Sequence, residues 1–254
     1  MKHLPNLLTL ANLVSGCIAI AFILNAQPFV SSFNDNEYWV LGTEQAYMGS
    51  LFILLAAVFD MLDGYAARAL QIFSPIGKDL DSLADIISFG VAPSMILFKM
   101  LWASYMSEPY ALDVNMFAMI PAFIIACAGA VRLARFNLTS TEQKTHFIGM
   151  PIPAVGLFMA SLPLINFYNP YGMGVYLQSK WVIYLIIAVF SWLMLSKIRF
   201  FKFMPSSFSI GAMWPQLVLV VAAISGWFVL HVAAIPVVFI LYILLSLINK
   251  PSEA

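Results

Sequence analysis

The chain has 254 residues, 62% of them hydrophobic and 9% charged, and its twelve basic and twelve acidic side chains leave no net charge. Nothing in that balance offers nucleic acid a basic surface, and there are too few charges to clothe a soluble domain of this length. Apolar runs of about 18 residues or more, the length that crosses a bilayer as a helix, recur from end to end.

In chain order, the apolar runs predict eight spans, at roughly 10–27, 46–69, 79–104, 115–137, 151–168, 180–197, 212–230 and 232–249. The fold class is therefore an all-α polytopic membrane protein of about eight transmembrane helices. The first run, "MKHLPNLLTLANLVSGCIAIAFILNAQ", faintly resembles a signal peptide. Asn6 and Asn12 interrupt it and no small-residue cleavage site follows, so it is expected to stay on the protein. Asn6, Thr9 and Asn12 recur at every third position there, and an asparagine within a membrane is costly without a partner. Cys17 and Cys127 lie in separate apolar runs and read as buried free thiols rather than a disulfide or a metal pair. Pro93 and Pro121 are expected to break helices away from the acidic residues described next. The last two spans are joined by almost nothing, "VLHVAA", and no internal repeat is visible.

Basic residues set the orientation. On this map Lys2, Arg68, Lys78, Arg132, Arg135, Lys144, Lys197, Arg199, Lys202 and Lys250 fall on one side of the membrane. Lys99 and Lys180 fall on the other, among Asp35, Glu37, Glu44, Glu108 and Asp113. The first side is then cytoplasmic, and both termini face the cytoplasm.

The second and third spans carry "DMLDGYAARALQIFSPIGKDLDSLAD", residues 60–85. Asp60 and Asp63 end one helix, Asp81 and Asp85 begin the next, and "SPIG" marks the turn between them. At helical spacing Asp60, Asp63, Gly64, Ala67 and Arg68 share an arc of about 140°, and Gly77, Asp81, Asp85 and Ser88 one of about 80°. Gly64 and Ala67 leave a hollow between the acids, or simply let two helices approach closely. Two like charges ~4 Å apart repel by ~4 kcal/mol at an effective dielectric near 20, and a membrane-centred Asp costs ~2.5–3.5 kcal/mol. Arg68 and Lys78 are too few to neutralise four acids, so either some are protonated or divalent cations lie among them. Oxygen donors without His or Cys suit Mg²⁺, Mn²⁺ or Ca²⁺ rather than zinc. Two such ions among four carboxylates commonly serve displacement at phosphorus.

The order D-x2-D-G-x2-A-R-x8-G-x3-D-x3-D resembles the signature of the CDP-alcohol phosphotransferases, and every fixed position is present. The resemblance implies a six-helix core, here within residues 1–200, with 201–254 as an additional C-terminal hairpin. It implies transfer of a phosphoryl-linked group from a CDP-linked donor to an alcohol, with release of CMP. Carried over by position, Asp60, Asp63, Asp81 and Asp85 would ligate two divalent cations, and Asp85 would also act as general base. Gly64, Ala67 and Gly77 would line the nucleotide pocket and Arg68 would bind donor phosphate. Asn6 and Asn12 would contribute to the same donor site, the alternative being a juxtamembrane helix that turns its polar side to the headgroups. Ser82 is a further donor-site candidate because it adjoins Asp81, unless it bonds only to a helix carbonyl.

The flanking stretches "PNLLTLANLVSGCIAI", "SPIGKDLDSLADIISFGVAPS", "RLARFN" and "FIGMPIPA" resemble the membrane-integral phosphatidylserine synthases of bacteria and archaea. That implies CDP-diacylglycerol as donor, L-serine as acceptor, a bacterial-type inner membrane with a cytoplasmic active site, and the homodimer common in the family. A serine acceptor brings a carboxylate, which Arg132, Arg135 and Lys144 could hold. The same cations also suit anchoring to lipid headgroups. An acceptor carrying phosphate, glycerol 3-phosphate or inositol phosphate, would want cations as well, in a denser basic pocket. Acidic residues in spans also mark cation transporters. Those build their sites near the bilayer midplane, often from internal repeats, and this chain has neither feature.

Overall fold

The computed structural model describes residues 3–26, 28–33, 36–41, 43–71, 75–139, 146–201 and 210–248. Helices dominate them, as they must where lipid offers backbone groups no hydrogen bonds. In chain order these are α1 (Leu4–Asn25), α2 (Thr43–Leu70), α3 (Pro75–Asp85), α4 (Ala92–Met106), α5 (Ile124–Thr139), α6 (Ile152–Tyr168), the short α7 (Met173–Leu177), α8 (Lys180–Leu195), α9 (Ile210–Leu230) and α10 (Ala234–Ile248). Among the described residues, five stretches are long and apolar enough to cross a membrane: Leu4–Asn25, Ala46–Leu70, Ile76–Met106, Met116–Thr139 and Trp214–Ile248. Ile152–Tyr168 with Pro170–Leu177, bent by 110°, makes a sixth if it counts as one span. The chain is an integral membrane protein. Helix α8 has 16 residues, and α9 and α10 meet at a turn whose His231 has φ +49°.

An all-α architecture is corrected in one respect: two small antiparallel ribbons stand among the helices. β1 (Pro28–Phe33) pairs with β2 (Asn36–Leu41), and β3 (His146–Ile148) with β4 (Arg199–Phe201). Runs of three to six residues between apolar segments carry no alternation long enough to be read as strands.

The core lies along α4 and α6. Phe89, Ala92, Leu97, Leu101, Ile152, Val155 and Met159 are fully enclosed. Helix α1 lies along α2 and α3, and α6 along the other flank of α2. The outer faces of α1, α2 and α9 keep large apolar side chains exposed, among them Leu7, Leu54 and Phe228, as a lipid-facing surface requires. Cys17 and Cys127 are free but exposed, not buried, because each falls on such an outward face. Lys99 is buried and donates from Nζ to the Ala26 carbonyl at 3.1 Å, supplying a partner just past the end of α1.

Pro93 and Pro121 stand apart from the carboxylates, but the backbone departs from the α-helix right beside them. Residues Ile86–Val91, directly after Asp85, form a π-helical turn in which the Ala92 N–H bonds back to the Ile87 carbonyl. Pro93 in the first turn of α4 has no N–H to offer the preceding turn, and Ser94 Oγ donates back to the Gly90 carbonyl at 2.8 Å. Such widened turns recur at functional sites.

Candidate active site

Helices α2 and α3 bring their carboxylates together as the spacing predicts. Ligand oxygens of Asp60, Asp63 and Asp81 all lie within 4.8 Å of one another. Asp85 completes the group from the last position of α3, within hydrogen-bond reach of Asp60. Asp63 and Asp85 are buried, at 5% and 7% exposure, while Asp60 and Asp81 are half-buried. Four carboxylates this close favour a compensating cation. Oxygen donors from two facing helices, with no His or Cys among them, are the set a hard divalent ion takes, so the residues fit a metal centre.

Helix α1 closes the group from one side. Thr9 Oγ1 stands 2.7 Å from Asp63 Oδ2 and 3.0 Å from the Pro5 carbonyl, so its single proton serves one of the two. The charge-assisted bond to the carboxylate is the stronger. Asn12 Nδ2 donates to Asp85 Oδ1 at 3.3 Å, and Ser88 Oγ donates to the Asn12 carbonyl at 3.0 Å. Gly16 makes this close approach feasible: a Cβ there would stand 2.9 Å from Ser88 Cα. Asn12 is fully buried, and its Oδ1 has no protein partner. Asn6 is half-buried in the first turn of the same helix.

Around the acids, Gly64, Ala67 and Gly77 are half-buried. The Arg68 guanidinium lies over Gly64, with Nη1 3.4 Å from where a Cβ would stand, an ordinary contact distance. Ser82, next to Asp81, accepts from Asn137 Nδ2 at 2.7 Å and donates to the Lys78 carbonyl at 3.1 Å. Lys78 Nζ donates to the Asn137 carbonyl at 3.0 Å. These bonds tie α3 to the end of α5, with Ser82 half-buried beside Asp81.

Arg132 and Arg135 leave α5 beyond these acids. Arg132 is 5% exposed and within electrostatic reach of Asp85. Its guanidinium packs against the rings of Phe136 and Phe147, 5.3 and 5.4 Å from their centroids, and the two rings meet edge to face with centroids 5.7 Å apart. Its Nε and Nη2 have no hydrogen-bond partner. Arg135 is exposed and donates from Nη1 to the Leu195 carbonyl at 3.3 Å. Both line a cavity of about 460 Å³, with Thr139, Ser196, Lys197 and Arg199 on its other walls. Lys144 lies outside the described residues.

Sequence reasoning named neither Thr9 nor Asn137 as a site residue, though both had a signal: the every-third-residue polar stride of α1, and the last residue of "RLARFN". Phe136 and Phe147 stand in the quoted stretches "RLARFN" and "FIGMPIPA", but nothing in their spacing places either ring on Arg132, and the entry of Lys197 and Arg199 depends on a pairing of strands far apart in sequence.

Residues 2–195 match the family model described as CDP-alcohol phosphatidyltransferase. A CDP-diacylglycerol–serine O-phosphatidyltransferase of Bacillus subtilis strain 168 is 32% identical over 204 residues, covering 79% of this chain and 90% of that protein. A Helicobacter pylori protein of the same name is 29% identical over 246 residues, 96% of this chain and 90% of the relative. The archaetidylserine synthase of Methanothermobacter thermautotrophicus is 31% identical over 169 residues, 65% of this chain and 60% of its own.

Proposed function

The chain belongs to the CDP-alcohol phosphatidyltransferase family, and we propose that it transfers the phosphatidyl group of CDP-diacylglycerol to the hydroxyl of L-serine, giving phosphatidylserine and CMP. The observation that carries this reading is the meeting of Asp60, Asp63 and Asp81 within 4.8 Å, with Asp85 beside them. The names of the relatives support serine as the acceptor.

In this reading the four aspartates hold two divalent cations, Mg²⁺ or Mn²⁺, with Ca²⁺ also meeting the oxygen-donor rule. Such ions supply Lewis-acid charge to the donor's pyrophosphate. The donor enters sideways from the bilayer, leaving its acyl chains in lipid. Asn6, Asn12, Gly64, Ala67 and Gly77 bound the space for its cytidine diphosphate, and Arg68 offers a cation to a phosphate. Ser82 contributes by fixing α3 against α5. Asp85 accepts the proton of the serine hydroxyl, with Asn12 holding its other oxygen in place. The serine oxygen then forms a bond to the lipid-linked phosphorus as the bond from that phosphorus to the CMP oxygen breaks, and CMP leaves with the electron pair.

The serine carboxylate falls to Arg132, whose Nε and Nη2 are buried and unpaired, with Arg135, and Lys144 of the following loop, as further cations for the acceptor. A buried guanidinium with unpaired N–H groups favours a planar, bidentate anion. The one-sided distribution of Lys and Arg supports eight crossings, both termini in the cytoplasm, and the aspartates at the cytoplasmic face of an inner membrane. Residues 1–200 form the catalytic core and 201–254 an added hairpin, in a homodimer as is common in the family.

One observation favours a second reading. Arg132, Arg135, Lys197 and Arg199 line one cavity, a denser basic pocket than a single carboxylate requires. A phosphate-bearing alcohol, glycerol 3-phosphate or inositol phosphate, would use such a pocket. Purified protein in nanodiscs, given CDP-diacylglycerol and Mn²⁺ or Mg²⁺ with each alcohol separately, decides between them. CMP release with serine alone is the expected result, and release with a phosphorylated alcohol alone would replace serine as the acceptor.

A further inference from the structure

The last two helices lie beyond the residues that match the family model, which end at 195. One side chain of α10 nevertheless reaches toward the site. Tyr242 is 2% exposed, and its hydroxyl donates to the Phe201 carbonyl at 3.2 Å. Its ring packs against Phe200 and Phe201, with centroids 5.5 and 5.0 Å away. Both phenylalanines belong to β4, and Phe200 pairs in register with Phe147 of β3. The Phe147 ring is one of the two that pack against the Arg132 guanidinium.

A two-stranded ribbon of three residues a side does not hold its shape unaided. On its approach side, β3 is fixed through the backbone. Gly149 N–H donates to the Ile198 carbonyl at 2.9 Å and Met150 N–H to the Leu193 carbonyl at 3.1 Å. Gly149 has φ +75°, and a Cβ there would run into the Met194 carbonyl. On the far side β4 is backed by Tyr242. A tyrosine hydroxyl buried at this depth needs a partner, and the Phe201 carbonyl supplies it. Arg132, with Nε and Nη2 unbonded, packs against the rings of Phe136 and Phe147 and lies within electrostatic reach of Asp85 and of Tyr242 itself.

We infer that Tyr242 is a positioning residue for the acceptor: through β4, β3 and Phe147 it fixes the attitude of Arg132. The C-terminal hairpin thereby acts on the choice and affinity of the alcohol rather than on the donor or the chemistry. This rests on the reading of Arg132 as the partner of the serine carboxylate. A residue that merely filled space between helices would loosen the whole bundle and disturb both substrates alike.

Four full-length variants in nanodiscs test it, each assayed by CMP release for the KM of serine, the KM of CDP-diacylglycerol and kcat: Tyr242→Phe, Phe147→Leu, their double mutant and Arg132→Lys. Tyr242→Phe keeps the ring and removes one hydrogen bond, so serine KM rises by about three- to tenfold, the size of one such bond. The KM of CDP-diacylglycerol and kcat stay within about twofold of wild type. Phe147→Leu gives the same selective rise, and the double mutant is no worse than the larger single one, because both act on one element. An unchanged serine KM in Tyr242→Phe, a parallel rise in both KM values, or a double-mutant effect equal to the product of the two singles overturns the inference. Should Arg132→Lys raise serine KM while Tyr242→Phe does not, only the role of Tyr242 falls. If Arg132→Lys leaves serine KM unmoved, the carboxylate assignment itself falls, and the inference with it.

Discussion

The two halves of the site face each other across a few side chains and are built on opposite plans. The acidic half comes from one contiguous stretch, residues 60–85, whose two helices need only fold back on each other. Its charges are held by polar bonds from α1, Thr9 to Asp63 at 2.7 Å and Asn12 to Asp85 at 3.3 Å. The basic half gathers α5, β3, the end of α8 and β4, and its buried arginine is held by rings rather than by hydrogen bonds at Nε and Nη2. The contrast matches the work proposed for each. Groups that ligate cations and move a proton have to be fixed to within a fraction of an ångström, and hydrogen bonds do that. A cation awaiting a small anion has to keep its N–H groups unspent, and aromatic rings packed against it help to orient it without using them.

The comparison breaks most visibly at Asp85. Asp85→Asn keeps an oxygen and the size of the side chain but removes the proton acceptor. It should lower kcat by about 10²–10⁴-fold, with the CDP-diacylglycerol KM little changed. Full turnover in a variant shown to retain two bound Mn²⁺ would remove Asp85 from the role of base.

A smaller effect belongs to the bonds from α1. Thr9→Val preserves shape and deletes the hydroxyl at Asp63, and should weaken Mn²⁺ binding by about 10–100-fold, the usual effect of losing a bond that orients a ligand. Binding can be followed by electron paramagnetic resonance of free Mn²⁺ without any turnover. Equal affinity in the variant would mean that α1 closes the site without tuning it.

Asn137 joins the two halves through Ser82, and its loss should matter least. Asn137→Ala removes one partly buried hydrogen bond, worth about 1 kcal/mol, which should appear as a modest fall in thermal stability in detergent. A collapse of activity instead would make the α3–α5 tie part of the catalytic geometry.

The same contrast explains what could be read before any coordinates. Helix periodicity places Asp60 with Asp63 and Asp81 with Asp85, and a short turn leaves two adjacent helices one way to present them. The acidic half was therefore legible, as was the polar stride of α1 that turns out to face it. The π-helical turn after Asp85 was not, because a proline marks a disturbance without saying on which side the backbone absorbs it. Nor were the ribbons: β3 and β4 are three residues each and more than fifty apart in sequence. Without that pairing, Phe147 is one more aromatic in an apolar chain, and Lys197 and Arg199 are ordinary charges at a membrane edge. The outward faces of Cys17 and Cys127 escaped for a related reason. In a membrane protein both core and surface are apolar, so hydrophobicity does not tell the two apart.

The division of labour itself is tested most directly by steady-state kinetics of Arg132→Ala in nanodiscs, following CMP release at varied serine and varied CDP-diacylglycerol with saturating Mn²⁺. The account predicts a serine KM raised by at least about tenfold, the cost of a lost charge-assisted pair, at a nearly unchanged KM for CDP-diacylglycerol. A rise confined to CDP-diacylglycerol, or an equal rise for both substrates, would contradict it and place Arg132 with the donor.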